Sequence, residues 1–220
     1  MDNRVALKTG VVVRIVTEDL YLNKGLQILI NESMECYNSL QSGVIPDYKN
    51  MVHVVLVDTR CLGAGRAEWK KLSKVIREAD RYAFISYSDA SLDEISHLSL
   101  LGAVADLRHR LACFITTLAD NKPSGSSKLL SRLNYIEQLL VTFLIYEFNI
   151  NELHEIMKVS KKCVCRVRSQ VMQKYRLKNR KELHTMLKLH EFVSYMSTEK
   201  VISDKSRKRV HTEGRADICV

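Results

Sequence analysis

Short apolar runs alternate with amphipathic stretches along the first half of this chain. The runs VVVRIV (residues 11–16), VHVVLV (52–57) and YAFISY (82–87) have the length of buried strands and are rich in β-branched or aromatic residues. A shorter run at residues 103–105 is a further strand candidate, and residues 36–44 hold a weaker strand signal. Between the runs, apolar residues recur at helical spacing: Leu22, Leu26, Leu29 and Ile30; Trp69, Leu72, Val75 and Ile76; Leu107, Leu111, Phe114 and Ile115. This alternation predicts an α/β domain over residues 1–119, with a mostly parallel, doubly wound sheet covered by helices on both faces.

The second half shows helical periodicity with clear helix starts. Asn134 is followed three residues later by Glu137, and Asn149 by Glu152, which is the pattern of a capping box. Ser160 can cap a third helix. These signals predict an all-α domain of four helices over residues 129–197.

The third of these helices has one apolar stripe. Its stripe is formed by Val164, Val167 and Val171, with Tyr175 one turn later, and the rest of its circumference is polar or thiol. A short helix, a tight break and then such a helix form a helix-turn-helix. A fourth helix is predicted over residues 180–195, where Leu183, Met186, Leu187 and His190 share one side and could serve either the core or a dimer contact.

Composition and charge change at the same place. Residues 120–128, DNKPSGSSK, have the composition of a flexible linker. The formal net charge of +9 lies entirely after residue 127. Residues 158–181 carry ten Lys or Arg and no acidic residue, which favours a polyanionic partner over a solvated lysine-rich face with paired acids. Residues 198–220 lose periodicity, and we expect a basic, disordered tail there.

Several classes of protein fit the sequence poorly. It shows neither an apolar run of membrane-spanning length nor the order of a signal peptide, so we expect a cytoplasmic protein without a membrane partner. The six cysteines are widely spaced, and the Cys163-x-Cys165 pair lacks the further ligands of a zinc site. No nucleotide-binding glycine motif or nucleophile–base arrangement is present, so we expect no enzyme, no cofactor and no metal.

The polar residues that follow the first two strong strand candidates resemble the site of a response-regulator receiver domain. Asp58 ends the run VHVVLVD, and Thr17, Glu18 and Asp19 follow the first run. A Gly25-Leu26 pair, which resembles that of the family's first helix, aligns Thr17 and Glu18 with the family's acidic pair. The resemblance covers residues 10–120 and implies a flavodoxin-like fold in which Asp58 is the phosphoacceptor. The same chain position could instead be a carboxylate that caps a turn.

Two departures from the receiver pattern weaken that chemistry. Thr17 and Glu18 stand where the family has two acidic residues for Mg²⁺, and Asp106 stands at or near the position of a phosphate-contacting lysine. Losing one carboxylate and reversing one charge weakens the binding of both Mg²⁺ and phosphate. We therefore predict a degenerate receiver that does not use ordinary phosphorylation.

Residues 133–183, LNYIEQLLVTFLIYEFNINELHEIMKVSKKCVCRVRSQVMQKYRLKNRKEL, resemble the LuxR/NarL-type helix-turn-helix without a gap. The matching positions are Leu133, Glu137, Glu152, Val159, Ser160, Val164, Arg168, Ser169, Met172, Lys174, Asn179, Arg180, Glu182 and Leu183. Four positions depart from the pattern: Glu147 replaces a glycine, Cys163 a threonine, Val167 a histidine and Tyr175 a leucine.

The resemblance implies that the helix of residues 160–175 enters the major groove of double-stranded DNA. It puts Cys165, Arg166 and Ser169 on the face that reads bases. Ser160, at the start of the helix, is expected to belong to the DNA-binding residues as well. The residues suited to backbone phosphates are Lys161, Lys162, Arg168 and Lys174. Arginine can pair with a guanine edge through two hydrogen bonds, whereas a lysine beside a phosphate adds charge without reading sequence.

These features together predict a bacterial transcription regulator that binds specific DNA as a homodimer, or as a heterodimer with a related regulator. The combination of a degenerate receiver, six cysteines and a basic tail resembles the small enterobacterial regulators of fimbriae and other surface structures. Three alternatives remain: an auxiliary regulator that acts mainly by pairing with another LuxR-type protein, an enzyme on the α/β domain, and a quorum-sensing type of ligand domain.

Overall fold

The computed structural model describes residues 4–7, 10–40, 51–88, 96–116 and 130–213. Its first part is an α/β arrangement made of β1 (Arg4–Ala6), β2 (Val11–Val16), α1 (Leu20–Leu40), β3 (Val52–Asp58), a 3₁₀ segment (Thr59–Ala64), α2 (Arg66–Arg77), β4 (Arg81–Ser86), β5 (His97–Ser99) and α3 (Val104–Thr116). The second part contains α4 (Tyr135–Ile145), α5 (Ile150–Ile156), α6 (Lys161–Lys174) and α7 (Arg180–Glu213). The structure therefore contains an α/β sheet and a helical part, as the sequence predicted.

The five strands form one sheet in the order β1-β2-β3-β4-β5. The β2/β3, β3/β4 and β4/β5 pairs are parallel, whereas β1 joins the edge beside β2 as an antiparallel strand. The residues of β3 are almost continuously buried, which is expected of a central parallel strand covered on both faces.

Alternating side chains of these strands belong to two separate apolar layers, one on each face of the sheet. Val13, Ile15, Val54 and Leu56 pack with α1 and α3 on one face of the sheet. Val55, Val57, Tyr82 and Phe84 point to the other face, where they pack with α2 and α7. The sheet is thus covered on both faces, and a helix of the second part completes one of them.

The helices α1 and α2, which follow the neighbouring parallel strands β2 and β3, lie on opposite faces of the sheet. A flavodoxin-like sheet has a further parallel strand beside its first one. Here β1 holds that edge position, which differs from the order that we expected.

Three predicted boundaries were wrong. The strand signal at residues 36–44 fails over residues 36–40, which belong to α1, and residues 41–44 lie outside the described part. The run at residues 103–105 is not a strand, because α3 begins at Val104 and the last strand is His97–Ser99. The fourth helix of the second part continues to Glu213 instead of ending near 195, so residues 198–213 of the predicted disordered tail are helical.

The predicted linker, residues 120–128, and the last seven residues lie outside the described part. The division into domains at 119 and 129 therefore stays a prediction.

Candidate nucleic-acid interface and the Asp58 site

Three short polar side chains start helices α4, α5 and α6 of the second part. Asn134 accepts the backbone N–H of Glu137 at 3.0 Å, and the Glu137 carboxylate accepts the N–H of Asn134 at 2.8 Å. Asn149 and Glu152 repeat this reciprocal pair at the start of α5. Ser160 accepts the N–H of Cys163 at 3.2 Å and so caps α6. Each bond satisfies a backbone donor that lacks a partner inside the helix, as the sequence spacing predicted.

Three helices of the second part end in a left-handed residue that is not glycine. Glu147 has a φ angle of 64°, Lys158 of 51° and Arg176 of 56°. After α4, the N–H of Glu147 bonds to the carbonyl of Leu144, and the N–H of Phe148 bonds to that of Phe143, which is a Schellman motif. Equivalent pairs of bonds follow α5 and α6. Glu147, which replaces the glycine of the LuxR/NarL-type pattern, therefore adopts the left-handed conformation that glycine would take, at a steric cost.

The turn between α5 and α6 brings the two helices onto one core. Val164 and Val167 of α6 pack with Leu140 of α4 and Leu153 of α5, all four buried. The next two members of the stripe, Val171 and Tyr175, are also buried but belong to the larger apolar cluster that reaches the sheet. One side of α6 is therefore buried against the rest of the chain along the whole length of the helix.

The opposite side of α6 is exposed and carries no acid. Lys162, Arg166, Ser169 and Gln173 are all exposed and follow one another at helical spacing on the side away from the apolar stripe. Lys161 is also exposed, and Cys165 is half-buried at the margin of this surface. The exposed line Lys162–Arg166–Ser169–Gln173 is called the outer ridge below.

Gln173 was missed by the sequence analysis as a candidate contact. It lies seven residues after Arg166, so its spacing alone could have revealed it.

Two of the predicted DNA contacts make local bonds within α6. The hydroxyl of Ser169 donates to the carbonyl oxygen of Cys165 at 3.0 Å. A terminal guanidinium nitrogen of Arg168 lies 4.0 Å from the Cys165 sulfur. Arg168 is half-buried, because it lies four residues after Val164 and thus beside the apolar stripe.

The structure gives Lys174 a partner within the chain that the sequence did not predict. Its ammonium lies 2.5 Å from a carboxylate oxygen of Glu137, a side chain that is only 3% exposed. The same ammonium donates to the carbonyl of Arg132 at 3.4 Å. Lys174 itself stays exposed, because it lies at the margin of the apolar stripe, three positions after Val171. Its role as a phosphate contact stays a prediction.

The Asp58 carboxylate at the end of β3 is already paired with a cation of its own chain. The guanidinium of Arg60 contacts both of its oxygens, with the closest nitrogen at 2.7 Å. The Thr17 hydroxyl donates to the same carboxylate at 2.8 Å, and the backbone N–H of Arg60 donates at 3.0 Å. Asp58 is buried, with 3% exposure. It therefore also caps the segment that follows β3, which is the turn-capping role left open above.

Arg60 joins a second carboxylate to this site. It contacts Asp19 at 3.1 Å, and Asp19 in turn accepts the backbone N–H groups of Tyr21 and Leu22 at the start of α1. The bond from Leu22 and the neighbouring guanidinium lower the pKa of Asp19, and the carboxylates raise the pKa of Arg60. One arginine thus occupies the position between the two carboxylates where a cation would sit.

Two site expectations at the sheet edge were wrong. Asp19, and not Glu18, is the acid that joins Asp58, while the Glu18 side chain is exposed. Asp106 does not follow β5 directly, because β5 ends at Ser99 and Asp106 lies exposed in the first turn of α3. No acid therefore takes the place of a lysine at that strand end.

The sheet edge also contacts α7. The Ser88 hydroxyl donates to Glu182 at 3.2 Å, and the same carboxylate accepts the backbone N–H of Lys178 at 2.9 Å. Farther along α7, the Trp69 ring of α2 meets Phe192 edge-on, with 5.7 Å between centroids. The acid Glu199 of α7 bonds to Ser73 and pairs with Arg77 of α2. These contacts join the helix that follows α6 to the α/β part.

No protein-family model matches the chain, and no curated protein or solved structure is significantly similar to it. Among the described residues, no helix has both the length and the apolar composition needed to cross a bilayer. In the same residues, no group of three or more His, Cys, Asp or Glu is arranged to hold a metal ion.

Proposed function

We propose that this protein is a sequence-specific DNA-binding transcription regulator whose α6 enters the major groove. The observation that carries the proposal is the outer ridge, which is exposed and basic or polar on a helix anchored by a buried stripe. The major groove of B-DNA is wide enough to admit one α-helix. The preceding turn and the caps of α5 and α6 support the resemblance to the LuxR/NarL-type helix-turn-helix.

The residues of α6 have different roles in this proposal. Arg166 projects from the middle of the outer ridge and can reach a guanine edge, with Ser169 and Cys165 beside it. Lys161 and Lys162 lie in the first turn, where their charge and the N-terminal end of the helix both favour a phosphate. Arg168 lies at the margin and suits a backbone phosphate as well.

The Asp58 site supports regulation without ordinary phosphorylation. A phosphoacceptor needs a free carboxylate oxygen and a bound Mg²⁺. Here Arg60 and the Thr17 hydroxyl engage the carboxylate oxygens. The built-in cation therefore competes with both the metal and the phosphodonor.

The wider parts of the proposal rest on the sequence resemblance. They are a bacterial regulator in the cytoplasm, of the kind that controls fimbriae or other surface structures, acting as a homodimer or heterodimer. The α7 residues considered for the dimer contact, Leu183, Met186 and Leu187, are buried within the chain. A dimer that uses this side of α7 would require the helix to leave the sheet.

A selection experiment tests the proposal. The purified protein alone is mixed with a library of random DNA duplexes, bound duplexes are amplified and sequenced, and the enriched site is footprinted. We expect one enriched motif and a footprint with the protein alone. Enrichment only in the presence of another LuxR-type regulator would support the auxiliary role instead. Absence of enrichment under both conditions would contradict DNA recognition.

A further inference from the structure

A cavity of about 300 Å³ lies beside the amino-terminal half of the parallel strands β2 and β3, whereas Asp58 lies at the carboxyl end of β3. Strands β1, β2 and β3 line it from one side, and Val75, Glu78 and Ala79, at and after the end of α2, line it from the other. None of the residues that surround the Asp58 carboxylate lines this cavity. The two are therefore separate sites.

The strand pairing puts three basic side chains on the face of the sheet that lines the cavity. Arg4 of β1 is directly opposite Arg14 of β2, and His53 of β3 is paired with Val12, two residues before Arg14. Directly opposite residues, and residues two apart on one strand, point to the same face. Their Cβ atoms are about 4.5–5.5 Å apart in a directly opposite pair, so the two arginines can contact one small ligand together.

The arginine pair is an unfavourable arrangement unless an anion lies between the two side chains. Like charges directly opposite each other destabilise an antiparallel pair of strands. Arg14 is half-buried, and its guanidinium makes no hydrogen bond and no ion pair with any residue that the structure describes. A bound anion accepts hydrogen bonds from these donors and removes the repulsion.

The acids near the cavity do not cancel its positive charge. Glu78 lines the cavity, but the Lys74 ammonium lies 4.0 Å from its carboxylate. The Asp80 carboxylate accepts the backbone N–H of His53 at 2.7 Å. Both acids are exposed. Among the described residues, three cations (the two arginines and Lys74) stand against two acids, which leaves +1 with His53 neutral and +2 with His53 protonated.

We infer that this cavity binds a small phosphate monoester, with the phosphate between Arg4 and Arg14. Guanidinium groups donate paired hydrogen bonds to phosphate oxygens. A monoester carries close to two negative charges at pH 7, whereas each backbone phosphate of DNA carries one, so the arginine pair favours the free ester. The ligand contacts β1 and β2 at once and thereby stabilises the edge of the sheet. Its binding does not depend on the proposed DNA recognition, which uses the outer ridge of α6.

Methyl phosphate is the probe, and dimethyl phosphate is the matched diester with one charge fewer. Each is titrated at pH 7.5 and constant ionic strength into ¹⁵N-labelled full-length protein, and backbone amide shifts are recorded. We expect saturable shifts with methyl phosphate at residues 4–6, 12–14, 53–55 and 75–79, with affinity on the order of millimolar for so small a ligand. Dimethyl phosphate should bind about three-fold more weakly, since it has one charge fewer.

Two matched variants locate the site. Arg14→Gln should weaken methyl phosphate by at least about ten-fold, because it removes a charged donor pair. Arg66→Gln makes the same change at the other end of α2, does not touch the cavity, and should leave binding unchanged. Without ligand, the thermal midpoint of Arg14→Gln should be no lower than that of wild type, because the like charges are no longer opposite each other.

Three outcomes would each overturn the inference: equal binding of the two probes, shifts centred on α6, or no saturable shifts. Equal weakening by Arg14→Gln and Arg66→Gln would overturn it as well, since it would show attraction to the general charge of the chain. If Arg14→Gln fails to fold, the thermal midpoint of the wild-type protein decides. Methyl phosphate should raise that midpoint more than dimethyl phosphate does, and an equal rise would contradict the proposed site.

Discussion

At the scale of single residues, Asp58 shows how one neighbour changes the chemistry of a strand end. Arg60 lies two positions after Asp58, and its guanidinium reaches both oxygens of that carboxylate. The sequence predicts a degenerate receiver site, but the reason given at Asp106 was wrong and Arg60 was not considered. An ion pair across a turn depends on side-chain direction, which residue spacing alone does not fix.

Asp58 should not accept a phosphoryl group under ordinary conditions. Incubation with Mg²⁺ and a labelled small phosphodonor is expected to yield no stable acyl-phosphate, because Arg60 and Thr17 hold the acceptor oxygens. Asp58→Asn should leave DNA affinity nearly unchanged for the same reason. The measurement is the label retained by the protein, and a labelled product that disappears in Asp58→Asn would contradict this account.

Replacing Lys174 by alanine should lower the free energy of unfolding, whereas replacing Lys162 by alanine should leave it nearly unchanged. Lys174→Ala leaves the buried carboxylate of Glu137 without its cation, and we expect a loss of about 1–3 kcal/mol in the free energy of unfolding. Lys162→Ala removes an exposed charge on the same helix, so its stability should change by less than about 0.5 kcal/mol. Denaturant unfolding of both variants decides the matter. Equal stabilities would show that the Lys174–Glu137 pair does not hold the buried acid.

At the scale of helices and strands, sequence patterns that involve only neighbouring residues predicted the structure well. The caps at Asn134, Asn149 and Ser160 were confirmed, because each needs only a side chain and a backbone group three residues away. The last strand was misplaced, because residues 97–99 form only three pairs at a sheet edge and have no periodicity of their own. The helical extension of α7 beyond residue 197 was missed, since its charged composition lacks an apolar stripe.

The left-handed residue after α4 gives a prediction about a connection. Glu147→Gly should be more stable than Glu147→Ala by about 0.5–1 kcal/mol, because glycine adopts a φ of 64° without the steric cost of a side chain. Glu147→Ala is the control, since it loses the same ion pair with Lys188 and keeps the backbone cost. Thermal unfolding with CD detection compares the three proteins, and the difference between the two variants reports the backbone cost. A glycine variant no more stable than the alanine variant would show that this conformation costs nothing here.

At the scale of the whole molecule, one apolar cluster links the two parts. It contains Trp69 of α2, Phe84 of β4 and Phe192 of α7. The sequence predicted each element of this cluster but not their meeting, because contacts between distant segments leave no trace in local periodicity. The same holds for the contact of Ser88 with Glu182.

The shared cluster predicts one cooperative unfolding transition. Trp69 is the only tryptophan and packs against α7, so its fluorescence reports the docking of that helix. Denaturant curves followed by Trp69 fluorescence and by far-UV CD should coincide. An early change in fluorescence with CD still native would show that α7 separates before the sheet unfolds.

The central claim is that the outer ridge of α6 reads DNA through Arg166, and a binding titration tests it most directly. Wild type, Arg166→Ala and the control Lys70→Ala, which removes an exposed charge from α2, are titrated on the selected site and on random duplex at two salt concentrations. We predict that Arg166→Ala costs about 1–3 kcal/mol on the selected site and little on random duplex, while Lys70→Ala changes neither. Equal weakening on both duplexes would make Arg166 a phosphate contact, and no weakening on either would contradict the placement of α6 in the groove.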